Sequence, residues 1–211
     1  MTYSIKEMFY TLQGEGNQAG RPAVFCRFAG CNLWSGREQD RANAVCTFCD
    51  TDFIGTDGDG GDKFRNAEAL AYAIDSFWPI SHQNQKYVVL TGGEPLLQVD
   101  DALVLALHNL NFIIAVETNG TIAPPKDIDW ICVSPKSNAH LKITKGDELK
   151  LVFPQPDSMP HQYEHLDFKT FYLQPMDNQN VKNNIEEAII YCKSNPKWRL
   201  GLQQHKILQI P

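Results

Sequence analysis

The sequence predicts an α/β fold, a partial, open TIM-like barrel of about six parallel strands with helices outside. Short apolar runs alternate with helix-like segments, the pattern of βαβ units joined by right-handed crossovers. Several runs are almost uninterruptedly apolar, as parallel strands covered by helices require. The chain has 211 residues, and six strands with three strong helices fall short of a closed eight-stranded barrel, which takes about 200–250 residues or more.

The strand candidates, in order, are AVFCRF (23–28), KYVVL (86–90), FIIAVE (112–117), WICVS (130–134), ELKLVF (148–153) and FKTFYLQ (168–174). The helix candidates are 65–78, 100–110 and 184–194, with Asn66 and Asp100 as N-caps of the first two. No repeat, low-complexity tract or linker divides the chain, so residues 1–211 read as one domain. In folds of this kind chemistry gathers at the C-terminal ends of the strands. That rule selects GCN, TGGEP, ETNG, SPK and LQPMD, where polar and Gly-rich punctuation falls.

Composition narrows the function. With 43% hydrophobic and 21% charged residues, the chain has the make-up of an ordinary globular protein. No apolar run of about 18 residues is present, so no membrane partner is expected. MTYSIKEMFYTLQGEG lacks a basic region followed by an apolar one, which places the expected location in the cytoplasm. The net charge of −6 and the scattered Lys and Arg argue against nucleic acid as a partner. Clustered cysteines without a secretory signal point to metal or redox chemistry before disulfides.

Cys46 and Cys49 form a CxxC unit, and Cys31 lies upstream across fourteen intervening residues. Three thiolates on an iron–sulfur cluster leave one iron open to a ligand, whereas a structural metal site is usually closed by four. The competing reading is a four-cysteine zinc module with Cys26 as fourth ligand. Alternation along AVFCRF puts Val24, Cys26 and Phe28 on one face and Phe25 and Arg27 on the other. Cys26 therefore reads as a buried small hydrophobe, as do Cys132 and Cys192. Thr91-Gly92-Gly93-Glu94-Pro95 follows the second strand. Its glycines let backbone approach a ligand, and Glu94 can accept hydrogen bonds from an amine.

A cysteine triad after the first strand joined to GGEP after the second resembles the radical S-adenosylmethionine (SAM) superfamily. The usual spacing there is CxxxCxxC. The expanded interval here, with LQGEG at 12–16, CNLW at 31–34 and CDT at 49–51, is similar to the 7-carboxy-7-deazaguanine synthase family, and the likeness runs through QQHK at 203–206. The resemblance implies a radical SAM domain with an expanded cluster-binding loop (31–49). It implies a [4Fe–4S] cluster on Cys31, Cys46 and Cys49, with SAM and Mg²⁺ as further cofactors. The implied reaction contracts the ring of 6-carboxy-5,6,7,8-tetrahydropterin to 7-carboxy-7-deazaguanine with loss of ammonia, on the route to queuosine. A 5′-deoxyadenosyl radical takes the C6 hydrogen, and SAM is regenerated. A homodimer is implied, and a flavodoxin- or ferredoxin-type electron donor is the general expectation for such clusters.

The resemblance also assigns residues. SAM contacts fall to Gly93, to Phe48, Cys49 and Asp50, to Ser134, Pro135 and Lys136, to Gln174, Pro175, Met176 and Asp177, and to Glu117 at the ribose. Substrate contacts fall to Leu12, Gln13 and Gly14, to Thr91, and to the carboxylate of Pro211. Thr51 matches the Mg²⁺ position, where substrate carboxylate and waters complete the shell. Arg27, on the face away from Cys26, needs an anion, and a substrate carboxylate supplies one. Within the same superfamily, an activating enzyme for a glycyl-radical partner is the alternative, although such enzymes usually keep CxxxCxxC.

Two further patterns carry nothing. Residues 56–68 imitate a calcium loop but place Asp62 where the turn needs glycine. The six histidines, His82, His108, His140, His161, His165 and His205, lack ligand spacing with a carboxylate partner.

Overall fold

The computed structural model describes residues 2–81 and 84–211, so His82 lies outside the described residues. Among the described residues nine strands form one sheet: β1 (Tyr3–Leu12), β2 (Pro22–Phe28), β3 (Asp62–Phe64), β4 (Lys86–Gly92), β5 (Phe112–Thr118), β6 (Trp130–Val133), β7 (Lys145–Phe153), β8 (Asp167–Pro175) and β9 (Trp198–Leu200). Their order is β3-β1-β2-β4-β5-β6-β7-β8-β9. From β2 onward every pairing is parallel, whereas β1 runs antiparallel to β2 and to β3. The six expected strands are thus the first six of a continuous parallel run of seven that β9 completes, and the sheet stays open between its edges β3 and β9. The helices are α1 (Ala67–Ser76), α2 (Asp101–Asn109), α3 (Val181–Ser194) and the short α4 (Gln204–Leu208).

β1, β3, β9 and α4 were not expected from the sequence. In β1 the buried positions run Tyr3, Ile5, then Met8, because the register shifts between Ile5 and Glu7. That bulge breaks the period of two on which strand recognition depends. The other three elements are only three to five residues long, too short for periodicity to emerge.

The outer face of the sheet buries the main core. Met8, Val24, Cys26, Phe28, Val88, Leu90, Ile114 and Val116 meet Leu70 and Ile74 of α1 and Leu103 and Leu107 of α2. The helix residues recur at i and i+4, so each helix presents one apolar stripe to the strands. Both expected caps form: Asn66 Oδ1 accepts from Ala69 N at 2.8 Å, and Asp100 Oδ1 from Leu103 N at 3.0 Å. Asp100 Oδ1 also accepts from the buried Tyr3 hydroxyl at 2.7 Å. Asn66→Ala is therefore expected to lower the unfolding free energy by about 1 kcal/mol. Asp100→Ala should cost more, because it also strands a buried hydroxyl worth about 1–3 kcal/mol. Urea unfolding of the two variants side by side checks that order.

The inner, concave face is polar. ELKLVF alternates, and with its apolar residues turned to the helices, Glu148 and Lys150 point into the barrel, where they are 3% and 5% exposed. The turn after β1 covers this interior. Asn17 N donates to Glu148 Oε2 at 2.9 Å and Gln13 Nε2 to Glu117 Oε1 at 2.9 Å.

Candidate functional site

A cavity of about 440 Å³ opens at the C-terminal ends of β2 and β4 through β8. The end of β1, the loop after residue 45 and the C-terminal segment close its sides.

The cluster loop starts from Cys31, whose Sγ accepts from Leu33 N at 3.4 Å. It returns through Arg41, which stacks on Trp34 at 4.0 Å and donates to the carbonyls of Thr47 at 3.0 Å and Cys49 at 3.1 Å. These bonds turn Cys46 and Cys49 back toward Cys31. All six cysteines are free thiols. A hydrogen bond from the Cys46 thiol lowers the Cys49 pKa to about 6, so Cys49 is readily a thiolate. The same bond and burial push Cys46 well up. Lys136 stands close enough for its charge to favour both thiolates, although its own burial lowers its pKa. Cys26 is fully buried among core residues on the opposite face, and burial alone pushes its thiol up. A four-cysteine metal site including Cys26 is thereby ruled out by the strand itself.

The GGEP turn is built against this loop. Glu94 N donates to Gly30 O at 2.9 Å. A Cβ at Gly93 would stand 2.2 Å from Gly30 O and 2.9 Å from Cys31 Cβ, and one at Gly92 would meet Phe28 O at 2.3 Å. Gly92 also has φ +137°, a conformation that favours glycine. The turn therefore presents bare backbone to the cavity. Glu94 does not offer its carboxylate to a ligand amine, as the sequence reading supposed. It is fully buried and accepts from Thr118 Oγ1 at 2.7 Å, Asn119 N at 2.8 Å and Leu96 N at 3.0 Å. Its role is to lock the ends of β4 and β5 together. Asn119 Nδ2 continues the wall to Asn32 Oδ1 at 3.0 Å.

Most other expected site residues line the same cavity: Leu12, Gln13, Gly14, Arg27, Phe48, Cys49, Asp50, Thr51, Thr91, Gly93, Glu117, Ser134, Lys136, Gln174 to Asp177 and Pro211. Pro135 is displaced from it, buried, with its carbonyl accepting from Gln155 Nε2 at 3.4 Å. Arg27 already has one anion, since its Nε donates to Glu7 Oε1 at 2.7 Å. Among the described residues its Nη groups take no hydrogen-bond partner. Pro211 O accepts from Thr11 Oγ1 at 3.0 Å, which docks the final residues against β1. Gln204 N donates to Gly14 O at 2.8 Å, and His205 fills the space a Gly14 side chain would need.

The sequence reading missed the charged floor. Lys150 Nζ, buried on β7, donates to Glu15 Oε2 at 2.5 Å and to Glu117 Oε2 at 3.0 Å. Glu117, the expected ribose contact, is thus already held by Gln13 and Lys150. Gln203 Nε2 donates to Glu15 Oε1 at 3.0 Å, bringing in the C-terminal segment. Lys206 joins Asp50 at 2.9 Å and Asp177 at 2.5 Å, linking the cluster loop to the loop after β8. The alternating charges of ELKLVF were the available signal: polar residues on a strand whose other face is sealed by helices must line an interior.

The chain is 61% identical to the 7-carboxy-7-deazaguanine synthase of Caulobacter vibrioides and 60% identical to that of Bordetella pertussis, each over the full length of both chains. The chain belongs to the 7-carboxy-7-deazaguanine synthase family. The crystal structure of QueE from Escherichia coli superposes with TM-score 0.72 at 25% identity, covering 97% of this chain and 95% of that one. No family model matches. Membership in the 7-carboxy-7-deazaguanine synthase family implies radical SAM chemistry, and hence a [4Fe–4S] cluster and SAM.

The donor set fits that pair. Among the described residues no group of three or more His, Cys, Asp or Glu is drawn together as a single ion would need. Soft thiols suit an iron–sulfur cluster: Cys46 and Cys49 line the cavity, and Cys31 abuts the Gly93 turn beside it. For SAM, the bare glycine turn is joined by Gln174 Oε1, a buried cavity-wall oxygen without a hydrogen-bond partner among the described residues.

Proposed function

We propose that this chain converts 6-carboxy-5,6,7,8-tetrahydropterin to 7-carboxy-7-deazaguanine with release of ammonia, a step toward queuosine. The convergence of the cluster cysteines, the GGEP turn and the Arg27–Gln13 wall on one cavity in a member of this family carries the reading. It works as a single cytoplasmic domain over 1–211, as a homodimer, with Mg²⁺ and a flavodoxin- or ferredoxin-type electron donor.

When bound, the cluster and SAM supply one-electron cleavage chemistry that removes the C6 hydrogen of the pterin and later returns it. The protein's own groups hold and orient. Cys31, Cys46 and Cys49 would hold the cluster, and three thiolates would leave it open to the amino and carboxylate groups of SAM. Gly93 takes the SAM amine through backbone. Phe48, Cys49, Asp50, Ser134, Lys136 and Gln174 to Asp177 surround the rest of SAM, with Glu117 at the ribose. Lys206, bridging Asp50 and Asp177, draws two of these segments together.

Leu12, Gln13 and Gly14 meet the amide edge of the pterin, Thr91 its ring, and the Pro211 carboxylate its N–H donors. Arg27 faces the substrate carboxylate with its Nη groups while Glu7 fixes the guanidinium through Nε. Thr51 and that same carboxylate hold Mg²⁺, with waters completing its shell.

Anaerobic iron–sulfide reconstitution should yield a brown protein that, given SAM, reductant, Mg²⁺ and the carboxytetrahydropterin, releases the deazaguanine product on mass spectrometry. A colourless protein with one tight zinc would sink the proposal. Cluster assembly and SAM cleavage without that product would remove the substrate assignment alone. Gly93→Ala, whose new methyl forces the Gly30 carbonyl aside, is expected to lower turnover on the order of 100-fold. Initial rates at saturating SAM, with far-UV circular dichroism to confirm folding, check this.

A further inference from the structure

Beneath the cavity floor lies a second, much smaller chamber of about 10 Å³, whose walls include Gln13, Glu15, Tyr87, Glu117, Cys132 and Glu148. That is about the room one water requires. Tyr87, near the start of β4, is 1% exposed, and its hydroxyl has no hydrogen-bond partner among the described residues. Arg21 stacks on its ring at 3.8 Å, which fixes the ring and the direction of the hydroxyl. Glu117 and Glu148 lie near enough for their charges to bear on that hydroxyl. A buried hydroxyl left without a partner is costly, so an orphan in a polar chamber calls for an occupant.

Glu148 supplies the opposite wall. It is 3% exposed, its Oε2 accepts from Asn17 N at 2.9 Å, and its Oε1 lies 3.6 Å from Cys132 Sγ. Each carboxylate oxygen has two lone pairs, so both retain capacity to accept. Burial pushes the Glu148 carboxyl up despite the nearby Lys150 charge. Donors and acceptors thus face one another across a gap of water size.

We propose that this chamber is a binding site for one water molecule, held by Tyr87 Oη, Glu148 and Glu117. The water completes a polar network that runs from Tyr87 at the bottom of the barrel through Glu117 to Lys150 at the cavity floor. It belongs to the resting protein and requires neither cluster nor SAM.

The sign of one measurement separates a wet chamber from a dry one. Tyr87→Phe keeps the ring and its stacking and deletes only the hydroxyl. If a water is bound there, the apo-protein's thermal midpoint falls by about 2–4 °C. If the chamber is dry, the variant removes an unsatisfied group, and an unchanged or raised midpoint overturns the proposal. Glu148→Gln adds a second readout, because Tyr87 and Glu148 share no direct hydrogen bond. A bridging water makes the double variant's shift smaller than the sum of the two single shifts, whereas simple additivity would count against it. A crystal structure of the apo-protein should show one density peak in the chamber, and clean absence of density would again reject the site.

Discussion

Cys31→Ala, Cys46→Ala and Cys49→Ala are each expected to abolish cluster retention and reduce product formation to background, while Cys26→Ala keeps both. The asymmetry follows from which way each thiol points. Cys46 and Cys49 line the cavity and Cys31 abuts the Gly93 turn at its rim, so removing any one leaves a cluster iron without its thiolate. Cys26 sits on the opposite face of β2 among Val24, Phe28 and the helices. Its loss costs only packing, about 0.5–3 kcal/mol. Iron content and visible absorption after anaerobic reconstitution, read beside a melting curve, report both effects. A Cys26→Ala protein that folds but holds no cluster would refute the assignment of ligands.

Lys150→Met is expected to lower the unfolding free energy by about 3 kcal/mol, because it leaves the half-buried Glu15 and Glu117 without their cation. Against a typical total of about 5–15 kcal/mol, that is a large share. Adding Glu15→Gln and Glu117→Gln should restore most of the loss, since the uncompensated charges are then gone. The pH dependence supplies an independent sign. Burial alone would push the Glu15 carboxyl up, but the Lys150 ammonium and the bonds from Lys150 and Gln203 outweigh it and hold the group below its ordinary range. A depressed carboxyl contributes stability that is present above its unfolded value, about 4.3, and is lost as pH falls through the folded value. Without Lys150, burial is opposed only by the Gln203 bond and the His205 charge, so the Glu15 carboxyl moves up and the variant keeps less of the stability that the parent gains as pH rises. The difference between urea midpoints at pH 4 and pH 8 should therefore be smaller for Lys150→Met than for the parent protein. Equal differences would show that Lys150 does not govern this acid.

Much of the site was legible because its signals are local. The paired glycines of the GGEP turn are needed where backbone comes within van der Waals contact of Gly30 and Phe28, and such positions are recognisable one at a time. The caps Asn66 and Asp100 depend on neighbours three residues on. The face of Cys26 needed only the pleat of its own strand. The charged floor escaped because it has no local signature. Glu15, Glu117, Lys150 and Gln203 come from four separate segments, and only closure of the β1 turn and the C-terminal segment over the barrel joins them. Glu94 was misread for the same reason: an acid after two glycines looks available until β5 delivers Thr118 and Asn119 to its oxygens.

Residue order alone was enough for the parallel α/β architecture, the grouping of Cys46 and Cys49 with Cys31 on one loop and the side of β2 to which each residue belongs. These depend on residue type, spacing and the fixed periods of strand and helix. Only the tertiary structure decided which polar groups are already satisfied by the protein and which remain for a ligand. Glu94 and much of Glu117 fall in the first group, while the Arg27 Nη groups, Gln174 and the glycine turn fall in the second. Desolvation is the reason. A polar group's need for a partner is set by what surrounds it, and that is settled when distant segments close over the barrel.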